Sequence, residues 1–285
     1  MIRRLCIVGV GLIGGSLARA LKAAGAVAEV VGYGRDPAQL QLAQELGVID
    51  RGETDIAAAL LGAEVVLVAV PVGAMEGVLR AMAPHLAADT IVTDVGSTKG
   101  SVVAAAQRAF GAVPARFVPG HPIAGTEQSG VAASFAELYH KRRVILTPLA
   151  HTAAAAVATV RALWQAAGAE VVEMEVRHHD EVLAATSHLP HVLAYTLVDT
   201  LARMEEHTEI FRYAAGGFRD FTRIASSDPR MWHDICLANR DAILKVMDSY
   251  AADLAAVRDA IERGDGAALL SIFGRAKQAR DEFKQ

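Results

Sequence analysis

Apolar residues in this chain fall first in short, nearly continuous runs and later at helical spacing, and the change comes near residue 175. Seven runs predict strands: Leu5–Val8, Glu29–Tyr33, Val65–Val70, Ile91–Val95, Arg116–Pro119, Val144–Thr147 and Glu170–Glu173. The stretches Ala38–Leu46, Gly73–Ala81, Lys99–Phe110 and Thr152–Ala167 carry helix-forming patterns between them. Strands this uniformly apolar, separated by helices, predict one parallel sheet covered on both faces. Such a sheet binds its ligands beyond the carboxyl ends of its strands.

From 176 onward the strand signal is gone. His179–Arg203 reads as one long helix whose apolar positions, Val182, Leu183, Leu189, Val192, Leu193, Leu197 and Leu201, spread around much of its circumference. A helix that apolar is expected to be buried, in its own domain or against another subunit. Met231–Arg263 and Ala267–Phe283 supply two more helices. There is no internal repeat, and the alanines at 153–156 form helix rather than linker. The expected fold is therefore α/β, a parallel-sheet domain at 1–175 followed by an all-helical domain at 176–285.

The chemistry begins at the first turn. Gly9-Val10-Gly11-Leu12-Ile13-Gly14 follows the apolar run Leu5–Val8 and opens a helix. Gly9 permits a tight turn, Gly11 lets the backbone approach a pyrophosphate, and Gly14 allows close helix–strand packing. The diphosphate then sits on the unpaired N–H groups at the helix start, around Leu12 and Ile13. This marks a nicotinamide cofactor site and makes 1–175 the dinucleotide-binding domain of a modified Rossmann type. An NAD site usually ends its second strand in an acidic residue that binds the ribose. Here that position holds Gly34, followed by Arg35 and Asp36. Arg35 suits a 2′-phosphate and tilts the reading toward NADP; Asp36 reaches a ribose only if the turn is tight. Both also read as plain solvated turn residues.

Length and composition limit the alternatives. The 285 residues suffice for two domains, and 53% apolar with 21% charged residues describes a folded globular chain. A formal charge of −4 carries no nucleic-acid signature. No apolar run approaches the ~20 residues that span a bilayer. Met1-Ile2-Arg3-Arg4 leads straight into the first strand, without room for a signal peptide. Cys6 and Cys236 are spaced for neither a disulfide framework nor zinc and read as buried thiols. A cytoplasmic protein without membrane or nucleic-acid partners is expected.

Three further stretches carry candidate chemistry. Asp94-Val95-Gly96-Ser97-Thr98-Lys99 places Ser97 at the carboxyl edge of the sheet, near a nicotinamide, although Ser97 or Thr98 equally reads as a helix cap. Gly120-His121-Pro122 holds His121 extended, because the following proline restricts it. An imidazole so held suits proton acceptance near neutral pH, the alternative being an ordinary loop histidine. His178, His179, Asp180, His188 and His191 open the helical part. On one straight helix His188 and His191 share a face and His179 is turned away, so no metal site is expected. Those residues read as polar lining of a cleft, or Asp180 as a simple cap. Finally, the 216–232 stretch, from Gly216-Gly217-Phe218-Arg219 to Met231-Trp232, is a structured loop ahead of a helix. Its Arg223 can clamp a carboxylate or form a surface ion pair, and Trp232 can simply pack.

Together, the glycine turn, DVGSTKG, GHPIAGTEQSG, SHLPH at 187–191 and GGFRDFTRIASSDPRMW resemble the prephenate and arogenate dehydrogenases of tyrosine biosynthesis over nearly the whole chain. The resemblance implies a modified Rossmann domain and a helical domain that pairs with its twin in a homodimer. It implies NAD(P)-dependent oxidative decarboxylation of prephenate to 4-hydroxyphenylpyruvate, of arogenate to tyrosine, or of both. By the same resemblance His121 accepts the hydrogen bond of the substrate hydroxyl, and Ser97 bridges hydroxyl and nicotinamide. Arg223 holds the side-chain carboxylate with Glu127 as an ionic partner, and His179, His191 and Trp232 line the cleft. Gly34 departs from the aspartate common in NAD-using relatives. Two other readings stand beside it. One is a β-hydroxyacid dehydrogenase, whose catalytic lysine would have to come from Lys245, Lys277 or Lys284. The other is a cofactor-sensing protein without turnover.

Overall fold

The computed structural model describes residues 1–205 and 207–282. The end expected for the last helix, Phe283, and Lys284 lie outside the described residues. Strands β1 (Ile2–Val8), β2 (Val27–Tyr33), β3 (Arg51–Glu53), β4 (Val65–Val68), β5 (Ile91–Asp94) and β6 (Phe117–Val118) form an all-parallel sheet in the order β3-β2-β1-β4-β5-β6. This is the doubly wound dinucleotide-binding order, with its switch point between β1 and β4. The single expected sheet is corrected in one respect. The strands near 144 and 170 belong to a second sheet, in which β7 (Gly120–Pro122) runs antiparallel to β8 (Arg143–Leu146) and β8 parallel to β9 (Glu170–Glu173).

Strand β1 shows why the sheet must be covered twice. Leu5 and Ile7 point into one core, and Cys6 and Val8 into the other. Helices α1 (Leu12–Ala23) and α2 (Pro37–Glu45) bury their apolar stripes on the first face. On the opposite face lie α3 (Ile56–Leu60), α4 (Met75–Met82) and α5 (Lys99–Phe110). Helix α6 (Ala154–Ala166) returns to the first face, where Trp164 meets Tyr139 edge-on. The Tyr139 hydroxyl donates to the Ile13 carbonyl and Ser16 Oγ accepts from Phe135 N, so this segment straps the start of α1. Cys6 is fully buried, which raises its thiol pKa to about 12. Cys236 is only half-buried, and both cysteines are free.

The helix expected over 179–203 is two helices. A single π-turn at 184–188 separates α7 (Val176–Leu183) from α8 (Leu189–Ala202). Pro190 removes a backbone donor at this point, and His191 Nδ1 instead donates to the Ser187 carbonyl at 2.8 Å. The break resets which side chains share a face. Val192, Leu193, Leu197 and Leu201 are only half-buried within one chain.

Helices α9 (His207–Arg212) and α10 (Gly216–Thr222) lead through a short 3-10 turn to α11 (Pro229–Ala238). Asp228 caps α11, accepting from Arg230 N and Met231 N. The helix expected over 231–263 breaks at Asn239, after which α12 (Arg240–Glu262) begins. The chain packs as two compact units, Met1–Arg240 and Asp241–Gln285. In the second, Gly264 adopts positive φ and the Asp265 carboxylate caps α13 (Gly266–Glu282), accepting from Ala268 N. This unit exposes Leu244, Leu254, Ile261, Leu270 and Phe273. Among the described residues no helix is long and apolar enough to cross a membrane.

Candidate active site

The glycine turn fits a dinucleotide. Gly9 has φ +97, and a Cβ there would lie 2.4 Å from the Ala69 carbonyl oxygen at the end of β4. A Cβ on Gly14 would meet the Gly9 carbonyl oxygen at 2.6 Å, so α1 can approach β1 only with glycine there. A Cβ on Gly11 would meet nothing within 4 Å. Gly11 is also the N-cap of α1, without a capping side chain, so the first-turn N–H groups about Leu12 and Ile13 face that open space. An anionic diphosphate fits this cradle. At the end of β2, Asp36 caps α2 by accepting from Ala38 N at 2.9 Å. Arg35 is exposed and makes no ion pair among the described residues.

The loop after β5 is held by a buried ion pair that its local sequence pattern does not disclose. Asp94 and Lys99 are both fully buried and paired, with Asp94 Oδ2 also accepting from Gly96 N. Asp94 Oδ1 accepts from Gly120 N at 3.1 Å, and Lys99 Nζ donates to the Gly120 carbonyl at 2.6 Å. The pair thus grips both backbone polar groups of the residue before His121. Thr98 is the N-cap of α5 but makes no capping hydrogen bond, its hydroxyl lying against Ser101 Oγ instead. Ser97 is half-buried, and its hydroxyl makes no hydrogen bond among the described residues.

His121 sits on β7 rather than in a loop, paired in register with Ile145. Its Nδ1 lies 2.9 Å from His179 Nε2, and His179 Nδ1 lies 2.8 Å from Asp180 Oδ1. A carboxylate can only accept, so His179 carries its proton on Nδ1 and accepts at Nε2. His121 therefore donates from Nδ1 and keeps its free lone pair on Nε2. Burial, reinforced by His179, Lys99 and His188, holds the His121 pKa well below the usual histidine value of 6.5. The ring is a neutral acceptor at physiological pH.

Asp180 anchors the chain of bonds. Its carboxylate also accepts from the backbone N–H groups of Lys99 and Gly100 at 2.8 Å each, capping α5 from 80 residues downstream. The cap of its own helix α7 is Glu175. Burial alone would raise the Asp180 pKa, but the bonds from His179, Lys99 N and Gly100 N outweigh it and lower the pKa from its ordinary value, keeping the group ionised at neutral pH. His179 is completely buried, with both ring nitrogens engaged. It stands behind His121, between that ring and Asp180.

His191 stacks on Trp232, with ring centroids 3.7 Å apart, and His188 meets Trp232 edge-on. Arg223, 62% exposed at the end of α10, forms an ion pair with Glu127. A guanidinium with five donors can hold this glutamate and a ligand carboxylate in turn. No group of three or more His, Cys, Asp or Glu capable of holding a metal occurs among the described residues.

The fold and these groups define a dinucleotide-dependent oxidoreductase with a helical C-terminal region. The prephenate dehydrogenase nucleotide-binding domain matches residues 17–173, and the prephenate dehydrogenase dimerization domain matches 175–275. The chain therefore belongs to the prephenate dehydrogenase family. It is 45% identical to a cyclohexadienyl dehydrogenase of Zymomonas mobilis over 99% of this chain and 96% of that one. It is 38% identical to a prephenate dehydrogenase of Bacillus subtilis, across 97% of this chain and 75% of the relative. Among solved structures, prephenate dehydrogenase from Aquifex aeolicus in complex with hydroxyphenyl propionate and NAD+ superposes with a TM-score of 0.93 at 38% identity, covering 100% of this chain and 99% of that one.

The relay makes a specific demand on Asp180. In Asp180→Ala His179 Nδ1 loses its acceptor, so neither imidazole keeps an assigned tautomer and His121 is free to carry its proton on Nε2. Turnover is expected to fall by roughly 10²–10⁴, as when the acid of a Ser-His-Asp triad is neutralised. Nitrogen-15 shifts of labelled histidine would report the changed tautomer. Normal turnover with an unchanged His121 signal would remove Asp180 from the site.

Proposed function

We propose that this protein catalyses the NAD(P)-dependent oxidative decarboxylation of prephenate to 4-hydroxyphenylpyruvate and of arogenate to tyrosine, the dehydrogenase step of tyrosine biosynthesis. The observation that carries this reading is the neutral His121, its acceptor nitrogen set by His179 and Asp180. When bound, the nicotinamide supplies the hydride acceptor. His121 Nε2 takes the hydrogen bond of the ring hydroxyl and draws off its proton as the carbon bearing it is oxidised. Loss of the ring carboxylate as carbon dioxide lets the ring become aromatic, so the protein mainly orients the reactants. Ser97, with its hydroxyl uncommitted, bridges that hydroxyl and the cofactor. Arg223 holds the side-chain carboxylate, exchanging its bond to Glu127 for one to the substrate. His191 and Trp232 flank the ring.

Residues 1–175 bind the dinucleotide in this reading, and residues 176–285 bind the substrate and pair with a second copy as a homodimer. The half-covered face of α8 and the exposed Tyr213, Phe221 and Leu237 are apolar surface of the kind a twin subunit buries. The Gly34–Arg35 turn supports use of NADP as well as NAD. Asp36 is occupied as a helix cap, and Arg35 is available to a 2′-phosphate. A cytoplasmic location fits a biosynthetic step that consumes a soluble cofactor.

Reduction of NAD and of NADP with prephenate and with arogenate tests this directly. Turnover of at least one substrate is expected, and folded protein that binds nucleotide yet stays silent in all four combinations would sink the reading. In the same assay Arg35→Ala is expected to raise KM for NADP about tenfold or more, consistent with one lost charged hydrogen bond, while leaving NAD kinetics unchanged. Equal effects on both cofactors would remove Arg35 from cofactor choice. Arg223→Ala is expected to raise substrate KM by the equivalent of about 1.5–3 kcal/mol. An unaltered KM would leave Arg223 a surface partner of Glu127.

A further inference from the structure

Two N–H groups beside the His121 relay have no hydrogen-bond partner among the described residues. His188 Nε2 and Trp232 Nε1 are both buried and unpaired, with the rings 6.1 Å apart, centroid to centroid. His188 is 1% exposed. Asn239 links it to the Asp180 backbone of the relay. Buried donors are nearly always satisfied, and one left without a partner is costly. Two in one aromatic cluster mark a place where something accepts.

The protonation of His188 follows from its other nitrogen. Asn239 Nδ2 donates to the Asp180 carbonyl at 2.8 Å and lies 3.1 Å from His188 Nδ1. A carbonyl can only accept, so the Asn239 atom between them is the amide nitrogen and not its oxygen. Its second hydrogen then points at His188 Nδ1, which must accept. The proton of the neutral ring sits on Nε2. Burial lowers the His188 pKa to about 4 despite the nearby Asp180 carboxylate, so the ring is a neutral donor at working pH. Asn239 is the residue at which α11 ends, so the helix break itself delivers this amide.

The substrate class has two carboxylates with opposite fates. The side-chain carboxylate survives, and the exposed cation Arg223 suits it. The ring carboxylate leaves as neutral carbon dioxide, so its charge vanishes as the reaction proceeds. A cation beside it would stabilise the ground state more than the transition state and slow its departure. Neutral N–H donors among aromatic rings orient the group with a weaker hold on its charge.

Resting on the reaction proposed above, we infer that His188 Nε2–H, with Trp232 Nε1–H beside it, binds the ring carboxylate that the reaction expels, and that Asn239 is the positioning residue that sets the His188 tautomer. The test compares ligands with and without that carboxylate. His188→Phe is expected to raise prephenate KM about 10–100-fold, while the inhibition constant of the product 4-hydroxyphenylpyruvate, which lacks it, stays within twofold. His188→Gln, which keeps an N–H near the Nε2 position, is expected to recover most of the loss. An unchanged prephenate KM, or equal weakening of prephenate and product, would overturn the proposal. Should His188→Phe not fold, histidine nitrogen-15 shifts in the unmodified enzyme decide the question. The His188 signal is expected to show an Nε2–H tautomer and to move with a saturated analogue carrying both carboxylates, but not with 4-hydroxyphenylpyruvate. An Nδ1–H tautomer, or equal movement with both ligands, would overturn it. Failure of the unmodified enzyme to turn over prephenate or arogenate would count against the reaction itself, a result separate from any of these.

Discussion

The first turn of α5 is the joint on which the site depends. Lys99 sends its side chain back to Asp94 and on to the Gly120 carbonyl, fixing the strand that carries His121. Its backbone N–H, with that of Gly100, binds Asp180 and so fixes the helix that carries His179. One turn of helix therefore aligns two histidines 58 residues apart in sequence, with their nitrogens 2.9 Å apart. A buried ion pair contributes little net stability, because desolvation consumes most of the attraction, yet removing one partner costs about 3–5 kcal/mol. What Asp94 and Lys99 provide is geometry. Both carboxylate oxygens of Asp94 accept and Lys99 Nζ donates to two acceptors, so both backbone polar groups of Gly120 are held.

The charges are arranged so that the reacting centre stays neutral. Asp180 is ionised but separated from His121 by a neutral imidazole. Lys99 is cationic within its pair and, like the burial of the ring, opposes protonation of His121. An imidazole that must accept a proton is useful only while unprotonated, and this site reaches that state through burial and neighbours. The strongly exposed charge of Arg223 is balanced by Glu127. Attraction for an anionic substrate and neutrality at the reacting ring are thus assigned to different residues.

The parts legible in the sequence were those with local causes. The glycine turn needs its residues for steric reasons that act within six positions, and α5 starts and stops as its pattern predicts. Strand β3, Arg51-Gly52-Glu53, was invisible because it is short, polar and lies at the sheet edge. Strand β7 has three residues, one of them proline, and pairs only with a strand more than 20 residues away. The π-turn at 184–188 hides in a sequence that is good α-helix throughout, apart from Pro190. Asp180 looked like a cap, and it is one, but for a helix whose position the sequence does not disclose. The direction in which His179 points follows from that same contact, which no local pattern discloses. Asp94 and Lys99 stood inside a recognised motif, yet only the position of Gly120 shows what they hold.

These long-range bonds also explain why packing and sequence divide the chain at different places. The two family regions meet near residue 174, between β9 and α7. The first compact unit nevertheless runs on to Arg240. The reason is chemical: α7 supplies the carboxylate that caps α5, and α11 packs on the turn after β4, where a Cβ on Gly73 would strike the Asp234 carboxylate at 2.4 Å. Residues from 94 to 121 contribute the acceptor and its backbone clamp. Those from 179 to 239 contribute the tautomer-setting chain and the aromatic cluster. Separated, the first group would keep a histidine with no assigned tautomer, and the second a carboxylate with no helix to cap. The site is therefore a property of the contact between the two regions, and the bonds that make the histidine an acceptor are the same ones that hold the regions together.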